Sequence, residues 1–177
     1  MGLVSKIFSI FLLIVLFSST SGWMGKLDKR INREIEKTFE VAHYTLEPLD
    51  IPEGLNSELP AAMKRGFRKI INNEDLLGYV FVGFAPSKTA EFDYLVLFDT
   101  KVNVVHAKVL IYREDYGGEI GSKRWLRQFY GMDGNDRVDH ETNIDAISGA
   151  TISVRSMTIA MDNLLQSVGM LQKKGIL

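Results

Sequence analysis

The sequence predicts an α+β fold, in which helices pack on an antiparallel β-sheet to form a single domain. Apolar residues recur at helical spacing in the first and last parts of the chain. Three segments rich in β-branched and aromatic residues follow one another in the middle, bounded by Gly, Pro and Asp. A chain of 177 residues with 46% hydrophobic content is sufficient for one such core behind an N-terminal targeting segment.

Residues 1–23 are predicted to form a signal peptide or a membrane anchor. Lys6 precedes an apolar run at 7–17, and a small polar stretch follows, which is the order of a secretory signal. A run of 11 residues is shorter than the roughly 20 that a spanning helix needs. Cleavage and retention as an anchor stay open as alternatives. The basic residues at 26–33 weigh against export, because positive charge after an apolar segment disfavours translocation.

Residues 24–75 are predicted to form an N-terminal helical region. An amphipathic helix is expected from Gly25 to about His43, and a second from Ser57 to about Asn72. The apolar positions that predict the two helices are Leu27, Ile31, Ile35 and Phe39 in the first, and Leu59, Met63, Phe67 and Ile70 in the second.

The middle of the chain is predicted to form three antiparallel strands, at 79–84, 92–98 and 102–112. In the last strand, Val105, Ala107, Val109 and Ile111 alternate with His106, Lys108 and Leu110, which predicts one buried face and one mixed face. His106 is on the mixed face, and we expect it to be an exposed strand residue rather than a ligand.

A glycine-rich loop at 113–122 follows the strands, and a short helix is expected from Lys123 to Tyr130. The polar stretch from Gly131 to Glu141 is predicted to be a loop. The last helix is predicted from about Ser153, with one apolar face packed on the sheet.

The composition excludes several classes of function. Twenty-one basic residues against 22 acidic residues give no sign of nucleic-acid binding. The absence of cysteine excludes iron-sulfur clusters, thiolate zinc sites and cysteine nucleophiles. Asp139, His140 and Glu141 could form a metal or acid-base cluster, but adjacent residues point apart, so a polar loop is favoured. No catalytic acid or base is evident.

One short motif carries chemistry. Asp145, Ser148, Gly149, Ala150 and Thr151 stand at the spacing Asp-x-x-Ser-Gly-Ala-Thr. This stretch resembles the flavinylation motif of the FMN-binding domain family, which includes the C subunit of sodium-translocating NADH:quinone reductase and the G subunit of the Rnf complex. The resemblance implies that a flavin transferase joins FMN, taken from FAD, to the hydroxyl of Thr151 by a phosphoester bond.

The residue types suit that chemistry. A threonine hydroxyl is not ionised at neutral pH, so another protein must activate it, and Gly149 and Ala150 leave room for an approaching active site. The phosphodiester would lie at the start of the last helix near Ser153, where free backbone N–H groups favour an anion. The alternative is a plain loop and helix cap.

A second stretch supports the resemblance. Members of the family often carry Glu-Thr-Pro-Gly-x-Gly in a loop that borders the flavin, and here the loop keeps Glu114, Gly118 and Gly121 but lacks the Thr-Pro pair. Lys123 and Trp125, just after the loop, could supply a positive charge and an aromatic wall beside the isoalloxazine. An exposed basic helix with one buried Trp is the alternative.

The resemblance implies an FMN-binding domain at residues 76–172 that works as an electron-transfer flavoprotein subunit rather than a stand-alone enzyme. We expect it to be exported, at the periplasm or the outer face of the cytoplasmic membrane. The implied partners are a flavin transferase and a membrane electron-transfer complex, with membrane association and no nucleic acid. A noncovalent flavin-binding or sensory module is the alternative function.

Overall fold

The structure is a computed structural model that describes residues 21–61 and 63–177. The apolar run that predicts a signal peptide or anchor lies outside the described residues. Within the described part of the chain, no helix combines the length and apolar character needed to span a bilayer.

The predicted α+β class is confirmed by a five-stranded antiparallel sheet, in which each strand pairs with the next along the chain. The strands are β1 (Thr45–Pro48), β2 (Phe67–Asn72), β3 (Asp75–Pro86), β4 (Glu91–Phe98) and β5 (Val104–Ile111). The three strands expected from the sequence correspond to β3, β4 and β5.

Two long helices cover opposite faces of the sheet. Helix α1 (Ser21–Phe39) buries Ile31 and Ile35 against one face. The last helix, α5 (Thr151–Lys173), covers the other face with a continuous apolar side. The buried residues of that side include Val154, Met157, Met161, Leu164, Val168 and Leu171. The core therefore consists of two layers, one on each side of the sheet.

Both long helices run in the same direction across the sheet. Arg30 donates a hydrogen bond to the carbonyl of Leu110, near the end of β5, and Gln172 in the last turn of α5 donates to the carbonyl of Lys101. Lys101 lies in the β4–β5 turn, and Ser153 at the start of α5 contacts Tyr112 just beyond β5. The N-termini of α1 and α5 consequently lie at the same end of the sheet, the end of the β3–β4 turn.

The expectation of a second long helix at 57–72 is wrong. A short helix α2 (Glu53–Asn56) precedes this range, a second short helix α3 (Met63–Gly66) lies within it, and the chain then enters β2. Phe67 and Ile70 pack on opposite faces of the sheet, as residues three apart do in a strand. The 24–75 region is therefore not wholly helical, because it contributes both β1 and β2 to the sheet.

The simple alternation predicted for β5 is also wrong. The pairing of β4 with β5 shifts register twice, next to Phe98 and next to Tyr94. Ala107 and Val109 consequently pack under α5, whereas Val105 and Ile111 pack on the α1 side.

His106 is not the exposed strand residue that the sequence predicts. Its Nε2 lies 2.9 Å from a carboxylate oxygen of Glu34 on α1, and its Nδ1 lies 2.9 Å from the hydroxyl of Tyr130. The pKa of His106 is lowered, with burial as the largest cause, although the hydrogen bond and the charge of Glu34 act in the opposite direction. The mixed face of β5 is covered by α1, which a pattern within β5 alone cannot indicate.

The segment after the glycine loop forms α4 (Lys123–Leu126) and then a 3-10 turn at Arg127–Phe129. This agrees with the short helix expected at 123–130. The polar stretch at 131–141 has neither helix nor strand, as predicted, and it packs on α5 through a close approach of Gly134 to Gly169.

Candidate functional site

The motif occupies the loop that leads into α5, and Thr151 is the first residue of that helix. The helix thus begins two residues before the predicted start near Ser153. Thr151 is exposed, whereas Ala150 is buried at 4% exposure and anchors the end of the loop in the core. No side chain caps this helix at Ala150. The N–H groups of the first turn are therefore available to an anion beside Thr151.

Gly149 gives the motif its shape. Its φ is +81°, in the left-handed region that favours glycine, and a Cβ added there would meet nothing within 4 Å. Ser148 is exposed like Gly149. The motif therefore presents open space on the side from which Thr151 could be approached.

Asp145 is held by both of its backbone polar groups. The indole N–H of Trp125 donates to its carbonyl at 2.7 Å, and its own N–H donates to Oε1 of Gln128 at 2.8 Å. Asp145 is exposed, so its carboxylate stays at the surface while the backbone is fixed. The helical segment at 123–129 thus positions the start of the motif.

The glycine loop packs directly against the motif. Gly117 has a φ of +82°, and a Cβ built on it would lie 3.2 Å from the Cβ of Ala150 and 3.3 Å from the carbonyl oxygen of Gly149. The same Cβ would lie 2.9 Å from the hydroxyl of Tyr112. A glycine is needed here both for the backbone conformation and for the close approach.

A hydrogen bond joins the end of β5 to the first turn of α5. The hydroxyl of Tyr112 lies 3.0 Å from Oγ of Ser153, which is buried at 3% exposure. The Tyr112 ring packs on Phe92 with centroids 5.9 Å apart. Ser153 therefore fixes the helix N-terminus to the sheet through its side chain.

Glu114 is engaged by the β3–β4 turn. Its carboxylate accepts hydrogen bonds from the hydroxyls of Ser87 and Thr89 and from the N–H groups of Thr89 and Ala90. The bond from Ser87, followed by those from Thr89, lowers the pKa of Glu114 to about 2. The carboxylate thus fixes the base of the glycine loop to the neighbouring hairpin, and a direct flavin contact for it remains a prediction.

The remaining predicted flavin contacts differ in burial and in their neighbours. Gly118 begins a 3-10 turn in open space, and a Cβ at Gly121 would lie 3.7 Å from Val109. Lys123 is exposed, and its charge contributes to the lowered pKa of His106. Trp125 is only 5% exposed and meets Phe129 edge-on at 5.4 Å, so its ring is part of the core and does not form an exposed aromatic wall.

Three residues of the site were missed in the sequence. Gln128 bonds to the motif, Tyr112 bonds to Ser153 two residues after it, and Tyr116, beside Gly117, is an aromatic side chain that is 85% exposed. The position of Tyr112 at the end of a strand that enters the glycine loop could have indicated it. Gln128 stands three residues after Trp125 on the same side of a helical segment, which is a weaker signal.

The residues at 139–141 form a local turn. Asp139 accepts a hydrogen bond from the N–H of Glu141 at 2.7 Å, and the ring nitrogens of His140 lie 3.7 Å from carboxylate oxygens of both neighbours. Among residues 21–61 and 63–177, no group of three possible ligands is arranged to hold a metal ion.

Comparison with known proteins agrees with this geometry. Residues 89–166 match the model of the FMN-binding domain family. The fold is similar to the crystal structure of NqrC from Shewanella oneidensis, with a TM-score of 0.56 and 17% sequence identity over 85% of this chain and 99% of that chain. No match was found among curated proteins. The resemblance indicated by the motif is thereby confirmed over residues 89–166, a range that contains the whole motif.

Proposed function

We propose that FMN is joined to Thr151 by a phosphoester bond and that the protein is an extracytoplasmic electron carrier. The observation that carries this proposal is the setting of Thr151, an exposed residue at the uncapped start of α5, preceded by a glycine in open space. A hydroxyl in the core, or one beneath a side-chain cap, could not serve as an acceptor.

The attachment is a transfer of a phosphoryl group. The Oγ of Thr151 would bond to the phosphorus of the FMN half of FAD, the bond to the bridging oxygen would break, and AMP would leave with that oxygen. The hydroxyl proton would pass to a base of the transferase. This requirement explains why the motif is open on the side of Gly149.

The chain's own groups suit a bound FMN. The first-turn N–H groups of α5 would hold the negative phosphodiester, and the glycine loop would lie along one side of the group, close to Gly149. The ring of Tyr116 is free to pack on an aromatic face. Bound FMN would supply the capacity to accept and donate electrons reversibly.

We infer that the electron partner is a membrane redox complex. The similarity of the fold to NqrC supports this inference, as does the apolar run at 7–17, which would export the domain or anchor it. A carrier needs no catalytic acid or base, and the side chains that bond to the motif are the indole of Trp125 and the amide of Gln128, neither of which titrates near neutral pH. These features favour electron transfer over a stand-alone reaction.

The test is intact mass together with in-gel flavin fluorescence after coexpression with a flavin transferase in an exporting host. We expect one FMN adduct on the wild type, none on Thr151→Ala, and a retained adduct on Thr142→Ala, which changes another exposed threonine of the same loop. An adduct that survives Thr151→Ala, or its absence from the wild type despite active transferase, would overturn the proposal. Flavin that copurifies without a covalent adduct would favour the noncovalent module.

A further inference from the structure

The residue proposed to carry FMN and the beginning of α1 lie at the same end of the domain. Arg30 contacts Leu110 and Glu34 contacts His106, so α1 runs antiparallel to β5. Helix α1 extends nine residues beyond Arg30 to Ser21, which is about 14 Å at 1.5 Å per residue. Tyr112 lies only about 7 Å beyond Leu110 along an extended chain. The start of α1 therefore reaches the level of the Tyr112–Ser153 contact and beyond it.

The exposed large apolar side chains are concentrated at this same end. Phe84 is 66% exposed and lies near the β3–β4 turn, Tyr116 is 85% exposed in the glycine loop, and Ile152 is 50% exposed in the first turn of α5. In the described part of the chain only one more such side chain is found, Ile159 at 47%, two turns further along α5. Single exposed apolar residues are ordinary, but a group at one end of a domain indicates a contact.

We propose that this end, defined by Phe84, Tyr116 and Ile152, lies in the headgroup region of a lipid bilayer. The proposal rests on the proposed function, because it requires that the apolar run at 7–17 is retained as an anchor. Since the chain enters α1 at this end, an anchored domain must present it, and not the β4–β5 turn, towards the lipid. Aromatic side chains such as Phe84 and Tyr116 are well suited to the interface.

Charge does not carry the contact. Lys26, Lys29 and Lys88 are exposed at this end, but Asp115 and Glu119 are exposed there too. We therefore expect the contact to form on neutral lipid as well as on anionic lipid, because apolar burial is insensitive to headgroup charge. The attached flavin would then lie at the membrane surface, within reach of a partner embedded in the bilayer.

The absence of cysteine makes the test direct. Single variants Phe84→Cys, Ile152→Cys and Tyr116→Cys carry a nitroxide label, and Lys101→Cys in the β4–β5 turn is the control at the opposite end. The full chain, with its N-terminus verified by intact mass, is reconstituted into phosphatidylcholine vesicles with and without phosphatidylglycerol. Collision with oxygen and with a water-soluble nickel chelate is measured by electron paramagnetic resonance.

We expect a several-fold higher ratio of oxygen to nickel collisions at 84, 116 and 152 than at 101, in both lipids. Equal ratios at both ends in well-folded variants would overturn the proposal. Tyr116→Cys lies in a loop and should fold even if a strand or helix variant does not. Because the measurement is made with and without attached flavin, its failure is distinct from a failure of attachment at Thr151.

Discussion

The indole of Trp125 donates a 2.7 Å hydrogen bond to the carbonyl of Asp145, 20 residues away along the chain. Gln128 accepts from the N–H of the same residue. Together these two side chains fix the first residue of the motif while its carboxylate stays at the surface. The arrangement separates the group that a transferase would read from the groups that position it.

Removing this support should loosen the start of the motif. Gln128→Ala leaves the N–H of Asp145 without its acceptor, and we expect a loss of about 1 kcal/mol in unfolding free energy and faster amide exchange at Asp145. Denaturant unfolding and hydrogen exchange measure the two effects. Gln128→Glu keeps an acceptor oxygen and serves as the matched control. Unchanged exchange in Gln128→Ala would show that the contact does not order the motif.

Because Gly117 lies close to the motif, we expect alanine to reduce stability much more at Gly117 than at the neighbouring Gly118. Gly117→Ala combines a left-handed φ of +82° with contacts at 2.9 to 3.3 Å, and should cost about 2 kcal/mol or more. Gly118→Ala meets open space and should change stability by less than about 0.5 kcal/mol. Thermal unfolding of the two variants provides the comparison. Equal losses would mean that the loop does not pack on Ala150.

Local periodicity predicted the elements whose partners are adjacent in sequence. The β-branched and aromatic content of β3 and β4 and the long apolar side of α5 are strong signals, and these elements were found close to the expected positions. The segment at 57–72 misled because Phe67 and Ile70 suit a helical face as well as opposite faces of a strand. Only the pairing with β3 decides between them, and that pairing lies beyond residues 57–72, where the helical spacing was read.

The parts of the site that consist of consecutive residues could be predicted from the sequence. The motif at 145–151 and the glycine loop could be recognised, and the structure brings them together at Gly117 and Ala150. The roles of Glu114 and Trp125 could not be foreseen, since their partners lie on the β3–β4 turn and on the motif backbone. Composition indicates that a Trp is available, but only the fold determines whether its ring is buried.

The contact between Gly134 and Gly169 predicts that alanine at position 169 destabilises the protein, although alanine has the higher helix propensity. Alanine is normally the better helix former, yet a Cβ at Gly169 would lie 2.3 Å from the carbonyl oxygen of Gly134. We expect Gly169→Ala to lower the unfolding free energy by about 1 to 3 kcal/mol. Gly25→Ala, in open space on α1, is the control for a general effect of alanine in a helix. A stabilised Gly169→Ala would refute the packing of the 131–141 loop on α5.

The hydrogen bonds of Glu114 predict a stability effect with a defined pH window. Its folded pKa, about 2, is below the ordinary value of 4.5, so its contribution is complete above pH 4.5 and is lost as the pH falls towards 2. Wild type should therefore exceed Glu114→Gln in unfolding free energy at neutral pH, and the gap should narrow below pH 4.5. Glu119→Gln, an exposed acid of the same loop, is the control. A gap independent of pH would contradict the carboxylate's role.

The most direct test of the central claim is the location of the flavin on the chain. Cleavage after Arg137 and Arg155 yields one peptide, 138–155, that contains the hydroxyls of Thr142, Ser148, Thr151 and Ser153. Fragmentation by tandem mass spectrometry, on protein coexpressed with a flavin transferase, distinguishes these four positions. We predict an FMN phosphoester on Thr151 alone. An adduct on Ser148 or Thr142, or an unmodified peptide from flavin-containing protein, would contradict the account.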